Sequence, residues 1–210
     1  MSQVNLTFED SLSRVRDLLN NANQREIIGI VGKPGAGKST LSDFLMKNLP
    51  LDLVALVPMD GYHLSNRVLE NLKRSDRKGA PDTFDPTGFA SLLDRIKRTT
   101  TDIYYPIFHR EIEESIAAEG VVKGNVKVII VEGNYLLHNS DGWEDVRKYL
   151  SEVWFVDIDD EVRLKRLVDR HIHFGKEEKA AFEWAHGTDE RNATLVELTR
   201  HFADFIVFNN

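Results

Sequence analysis

A chain of 210 residues, 41% hydrophobic and 29% charged, is long enough to bury the core of one domain and too apolar for disorder. Its formal net charge of -7 leaves no globally basic surface, so nucleic acid is not expected as a partner, although a local cationic cleft for phosphate remains open. The lack of cysteine excludes disulfides and thiol catalysis and fits a reducing cytoplasm; apolar runs as short as Val128-Ile129-Ile130-Val131 suit neither a secretory leader nor a membrane span.

Thr7 and Asp10 predict a capped helix with Leu12, Val15, Leu18 and Leu19 on one face, ending near Asn23. Residues 26–32 read as a buried strand. A helix over 38–48 points Leu41, Phe44, Leu45 and Leu49 inward before Pro50 stops it. Further strands are expected over 51–57, 126–131, 153–156 and 205–208, with helices over 161–171 and near 191–203. That alternation predicts an α/β fold, a mostly parallel five-stranded sheet covered on both faces. Residues 60–123 break the rhythm with two proline-containing loops and a hairpin near 104–122, and read as an insertion over one end of the sheet. No repeat or linker divides the chain, so 1–210 is expected to be a single domain.

Gly32-Lys33-Pro34-Gly35-Ala36-Gly37-Lys38-Ser39 matches G-x-x-x-x-G-K-[ST], followed by Thr40, and stands between a predicted strand and a predicted helix. Glycines there let successive backbone N–H groups turn inward around phosphate oxygens. The helix start adds a favourable dipole, Lys38 reaches the terminal phosphates, and the Ser39 hydroxyl can ligate Mg²⁺. Such a cradle serves transfer of the γ-phosphate to water, to a macromolecule or to a small acceptor, so the acceptor side must be read elsewhere.

Asp60 follows the apolar run Leu53–Val57 and precedes Gly61, which permits a turn residue, a metal ligand or a working base. In an open parallel sheet the ligand crevice lies beyond the carboxyl ends of the strands, so Asp60 would face the phosphate loop and is placed to take a hydroxyl proton. Glu132 ends the next apolar run and is the candidate to hold Mg²⁺, directly or through water, although the two carboxylates could exchange roles. Arg163, Arg166 and Arg170 fall at i, i+3 and i+7 on one helical face. They read as a basic lid that neutralises charge on the transferred phosphoryl group, with Arg163 and Arg166 foremost. The alternative is a solvated face balanced by Asp159, Asp160, Glu161 and Asp169.

The phosphate loop, Asp60-Gly61-Tyr62-His63, the stretch Arg77 to Asp85 and Glu132-Gly133-Asn134-Tyr135-Leu136-Leu137 together resemble the phosphoribulokinase/uridine kinase family over most of the chain. Residues 60–85 look most like bacterial-type pantothenate kinase, and the overall pattern is similar to bacterial proteins labelled nucleoside or fructose-transport-system kinases. The resemblance implies a three-layer P-loop NTPase fold, with an acceptor-binding insertion at about 60–123 and a lid at about 160–186. It implies ATP and Mg²⁺ as cofactors and a hydroxyl on a small molecule, a nucleoside, a pantothenate-like compound or a sugar, as the phosphate acceptor. It also implies that Asp60 is the base and that Glu132 assists Mg²⁺. Tyr62, His63 and Lys78 would then lie along the acceptor, Phe84 would stack on a ring or pack an acyl chain, and Asp85 would bond paired sugar hydroxyls.

Tyr105, His109 and Arg110 fall where family members carry a Tyr/His-containing acceptor segment. Here, however, Pro106-Ile107-Phe108-His109-Arg110-Glu111 replaces the Tyr-Asp-Phe…His of uridine kinases, which counts against uridine or cytidine as acceptor. The competing reading is a regulatory nucleotide-binding module without acceptor chemistry, against which Asp60, Glu132 and the arginine face weigh. No Asn-Lys-x-Asp segment supports a GTPase. Adenine contacts near Asn209 and a homodimer are entertained without a specific sequence signal.

Overall fold

The computed structural model describes residues 4–209. Its main sheet contains β1 (Val4–Leu6), β2 (Glu26–Val31), β3 (Val54–Pro58), β6 (Val128–Glu132), β7 (Glu152–Asp157) and β8 (Phe205–Phe208), all parallel, in the order β1-β8-β7-β2-β6-β3. A hairpin of β4 (Ile103–His109) and β5 (Glu114–Val122) stands apart as a second sheet. The main sheet has six strands rather than the expected five. The extra one, β1, is a three-residue edge strand, too short to carry a readable alternation.

Among the described residues seven α-helices accompany these strands: α1 (Phe8–Asn21), α2 (Lys38–Asn48), α3 (Asn66–Leu72), α4 (Pro86–Arg98), α5 (Asp160–His173), α6 (Glu178–Trp184) and α7 (Glu190–Glu197). The Thr7 side chain accepts from the Asp10 N–H and the Asp10 carboxylate accepts from the Thr7 N–H, closing the expected capping box on α1. None of these helices is long and apolar enough to cross a membrane.

Successive residues of the central strands feed two cores, as the period of two requires. Ile27, Val31, Ile129, Val131 and Phe155 face α4, Trp143 and the base of the hairpin, while Ile28, Ile30, Ile130, Trp154 and Val156 face Leu12 and Val15 of α1 and Leu41 and Leu45 of α2. The chain leaves β2 for β3 on one side, and later passes from β6 to β7 across β2 to the other side. Beyond the carboxyl ends of β2 and β6 it therefore leaves a crevice. Glu132 is level with Ile30 of β2 and with Pro58 of β3, which aligns the ends of all three strands at that crevice.

At the opposite end of the sheet, Arg25 is buried and forms no ion pair among the described residues. Its five N–H groups go to the carbonyls of Ile96, Thr99, Lys123, Gly124 and Val126, tying α4 and the exit of the hairpin to the start of β2. Arg25→Met is expected to leave those carbonyls short of donors and to cost about 2–3 kcal/mol. Urea unfolding should show a lower midpoint at unchanged slope, and a loss below about 0.5 kcal/mol would contradict this role.

Candidate active site

The phosphate loop leaves β2 at Gly32 and enters α2 at Lys38, and its glycines answer steric demands. A Cβ on Gly32 would stand 2.7 Å from the Val156 carbonyl oxygen. Gly35 and Gly37 have φ of +79° and +93°, and a Cβ on Gly35 would meet Leu167 of α5 at 2.7 Å. Asn209, just past β8, donates from Nδ2 to the Ala36 carbonyl at 3.1 Å, so this end of the chain braces the loop from below. Lys38 Nζ donates to the Gly32 and Lys33 carbonyls at 3.0 and 3.2 Å. Burial lowers its pKa to about 8, although the Glu132 carboxylate nearby favours the charged amine.

Two carboxylates face this loop. Asp60 lies in a single 3₁₀ turn directly after β3, and its Oδ2 accepts from Arg110 Nη2 at 2.9 Å. Burial works against its ionised form, but His63, Arg110, Lys38 and Arg170 outweigh it and hold the pKa below the usual carboxylate value. Glu132 accepts from Ser39 Oγ at 2.8 Å and from Ser42 Oγ at 2.9 Å, and burial raises its pKa. His63 stacks between Phe84 and Phe108, with ring centroids 4.0 and 4.5 Å away. Its Nδ1 lies 2.8 Å from the Asp60 carbonyl, which can only accept, so Nδ1 carries the proton. Burial lowers the His63 pKa and so favours the neutral ring, which leaves Nε2 as an acceptor.

A cleft of about 760 Å³ brings together Pro34, Gly35, Gly37, Lys38, Ser39, Thr40, Asp60, His63, Lys78, Phe84, Arg110, Glu132 and Arg166 of the expected residues. Gly32, Lys33 and Ala36 supply loop backbone beneath it. Lys33 itself turns back to Asp160 at 2.7 Å and Glu197 at 3.6 Å.

Five expectations need correction. Arg163 is fully buried under the loop and does not reach the cleft: its guanidinium donates to Asp160 (2.7 Å), Glu190 (2.6 Å) and the Pro34 carbonyl (3.3 Å). Asp85 caps α4, its Oδ1 accepting from the Gly88 N–H at 2.8 Å, and does not line the cleft. Tyr62 packs edge-on against Phe89 outside the cleft, and burial pushes its phenol up to about 12. Tyr105 is a core residue whose hydroxyl donates to the Leu56 carbonyl at 2.7 Å. His109 bonds Glu119 across the hairpin at 2.6 Å, away from Asp60.

Since Asp85 is a cap, Asp85→Ala should cost about 1 kcal/mol of stability while leaving the ratio of the two substrate KM values unchanged. A selective rise in acceptor KM would instead return Asp85 to the acceptor.

Arg170, the last of the three arginines in the expected order, lines the cleft, and no described residue accepts a hydrogen bond from its guanidinium. Burial, with Arg110 nearby, lowers its pKa. Ser42, one turn beyond Ser39, and the His171–Asp189 pair at 2.6 Å had no motif to announce them.

A phosphate loop between β2 and α2, with carboxylates closing β3 and β6 around one crevice, defines a P-loop kinase fold. The Phosphoribulokinase / Uridine kinase family model matches residues 27–181, and the chain belongs to that family. It is 32% identical over 215 residues to a Schizosaccharomyces pombe protein provisionally named uridine kinase C227.14, covering 96% of this chain and 90% of the relative. A crystal structure from Silicibacter sp. TM1040, provisionally described as a fructose transport system kinase, superposes with a TM-score of 0.86 at 36% identity, over 96% of this chain and 98% of that one. YFH7 from Saccharomyces cerevisiae shares the fold, with a TM-score of 0.80 at 20% identity over 97% and 98% of the two chains.

Proposed function

We propose that this protein is a Mg·ATP-dependent kinase that transfers the γ-phosphate to a hydroxyl of a small metabolite. The observation that carries this reading is that Lys38, the phosphate-loop lysine, and Asp60, a carboxylate with one oxygen unengaged, open into the same cleft. A module that only bound nucleotide would need no such carboxylate.

In this reading the loop backbone and Lys38 hold the phosphates, and Arg166 and Arg170 stand over them from α5. Asp60 orients the acceptor hydroxyl and takes its proton. Ser39 and Glu132 supply hard oxygen donors that fit Mg²⁺, which when bound would neutralise charge on the phosphate oxygens. No group of three or more His, Cys, Asp or Glu side chains suited to a metal occurs among the described residues. That accords with an ion held largely by phosphate and water. Arg163 acts one step back: it pins the base of α5 to the Pro34 carbonyl, so that Arg166 and Arg170 are presented from a fixed strut.

The test is ATP consumption against nucleosides, pantothenate, nicotinamide riboside, fructose and other sugars, with product mass measured. A phosphorylated product that disappears in Lys38→Ala supports the kinase. ATP binding with no product across the panel would favour the regulatory module.

A further inference from the structure

Of the residues expected to read the acceptor, Asp85, Tyr105 and His109 are committed elsewhere, as helix cap, core hydroxyl and hairpin pair. Arg110 remains. It follows β4 at the tip of the hairpin, its side chain is 41% exposed, and among the described residues its guanidinium is bonded only to Asp60. One of its five N–H groups is thus engaged, and the others are available to a ligand. Oδ1 of Asp60 has no donor among the described residues, so a hydroxyl can settle there while Arg110 keeps Oδ2.

Arg166 and Arg170 of α5 also line this cleft without a side-chain acceptor among the described residues, and in the kinase reading they serve the transferred phosphoryl group; the other neighbouring charges are engaged. Lys78 is held by Asn66 Oδ1 at 2.7 Å and the Glu113 carboxylate at 3.3 Å, Asp189 by His171, and Glu132 by two serine hydroxyls. The counter-charge of Arg110 is the base itself.

We propose that Arg110 binds an anionic group on the acceptor, so that the compound phosphorylated here carries a carboxylate or a phosphate a few bonds from the reacting hydroxyl. This rests on the kinase reading. In the transfer step the acceptor oxygen bonds to the γ-phosphorus, and the bond from that phosphorus to the β–γ bridging oxygen breaks. Its electron pair leaves with ADP, and the hydroxyl proton passes to Asp60 Oδ1. Asp60 is then neutral, and Arg110 has lost its partner at the moment of reaction. An anion on the acceptor, met by the planar fork of the guanidinium, keeps that charge matched throughout; a neutral polyol offers nothing equivalent.

Matched pairs test this: D-glycerate against glycerol and D-gluconate against D-glucitol for a carboxylate, and fructose 6-phosphate against fructose for a phosphate. The anionic member of at least one pair should be preferred by about 10²-fold or more in kcat/KM, and which pair responds identifies the anion. Arg110→Gln should erase the preference through a rise in the KM of the anionic member, while any loss of kcat from the missing contact with Asp60 falls on both members alike.

A loss in Arg110→Gln that falls alike on both acceptors and leaves the preference between them intact would confine Arg110 to Asp60 and the transferred phosphoryl group and overturn the proposal. So would a wild-type preference for fructose or uridine over every anion. A readout independent of turnover is the Arg110 Nε–H resonance in the Mg·ADP-loaded protein, assigned by its absence in Arg110→Gln. Anionic members should shift it and neutral members should not. If the functional panel yields no product at all, the kinase reading fails while this resonance still decides the present claim, and its indifference to all the anions overturns it.

Discussion

Lys38→Ala is expected to lower turnover by about 10²–10³-fold, the range seen when one preorganised donor to a developing negative charge is removed. The Lys38 amine is shared between the Gly32 and Lys33 carbonyls. It is held in place before phosphate arrives, so little reorganisation is needed when it does. The carbonyls it leaves lie beside an open cleft that water can enter, so circular dichroism and the unfolding midpoint should remain near wild type. Near-normal kinase activity in a folded Lys38→Ala protein would contradict the phosphate-loop assignment.

The same residue sets a pH dependence. With a pKa lowered to about 8, the Lys38 amine is charged below that pH and loses its proton above it. Bound phosphate favours the charged form and raises the pKa, so nucleotide binding near pH 8 should take up a proton, and ATP affinity should fall as pH rises through 8. Calorimetry in two buffers of different ionisation enthalpy reads that proton directly, and Lys38→Ala should remove it.

Where the sequence was legible, a local chemical demand fixed both residue type and spacing. The phosphate loop needs glycines where positive φ and close backbone approach occur, and a lysine at the helix start, so α2 was placed to the residue. The apolar runs before Asp60 and Glu132 marked buried strands whose ends had to meet at the crevice.

The arginine face shows what spacing alone leaves undecided. Arg163, Arg166 and Arg170 do share a broad face, but α5 lies against the loop along Arg163 and Leu167, both fully buried, and turns Arg166 and Arg170 up into the cleft. Each pair is one helical turn apart, and only the docking of the helix tells them apart. Asp85 failed for a local reason: Asp85-Pro86 followed by Phe89, Leu92, Leu93 and Ile96 is a cap, a first-turn proline and an apolar stripe, the signature of α4. A reading of 60–123 as two proline-containing loops and a hairpin contains no such helix and leaves its cap looking like a free carboxylate. Tyr105 and His109 stand four residues apart on β4, which would put them on one face of a regular strand, but the pairing with β5 shifts register between Tyr105 and Ile107, and neither side chain lines the cleft.

For Asp60, the substitution to Asn keeps nearly the same shape and can still accept a hydrogen bond, but an amide cannot take up the hydroxyl proton. The expected result is a loss of about 10²–10⁴-fold in kcat, the range for a positioned general base, with ATP affinity little changed. The pair with Arg110 adds a second consequence. In the wild type His63, Arg110, Lys38 and Arg170 hold the Asp60 carboxylate ionised below its usual range despite burial. The Asp60-dependent fall in activity should therefore lie on the acid side, as pH drops through that lowered pKa, and this limb should vanish from the residual activity of Asp60→Asn. A turn residue would tolerate Asn with ordinary turnover, since both side chains serve turns. A direct Mg²⁺ ligand would show weaker ATP binding and a raised Mg²⁺ requirement, an outcome that would exchange the roles of Asp60 and Glu132. Measuring kcat, ATP affinity and Mg²⁺ dependence on this one variant separates the three, and ordinary kcat in Asp60→Asn would remove the base from the mechanism.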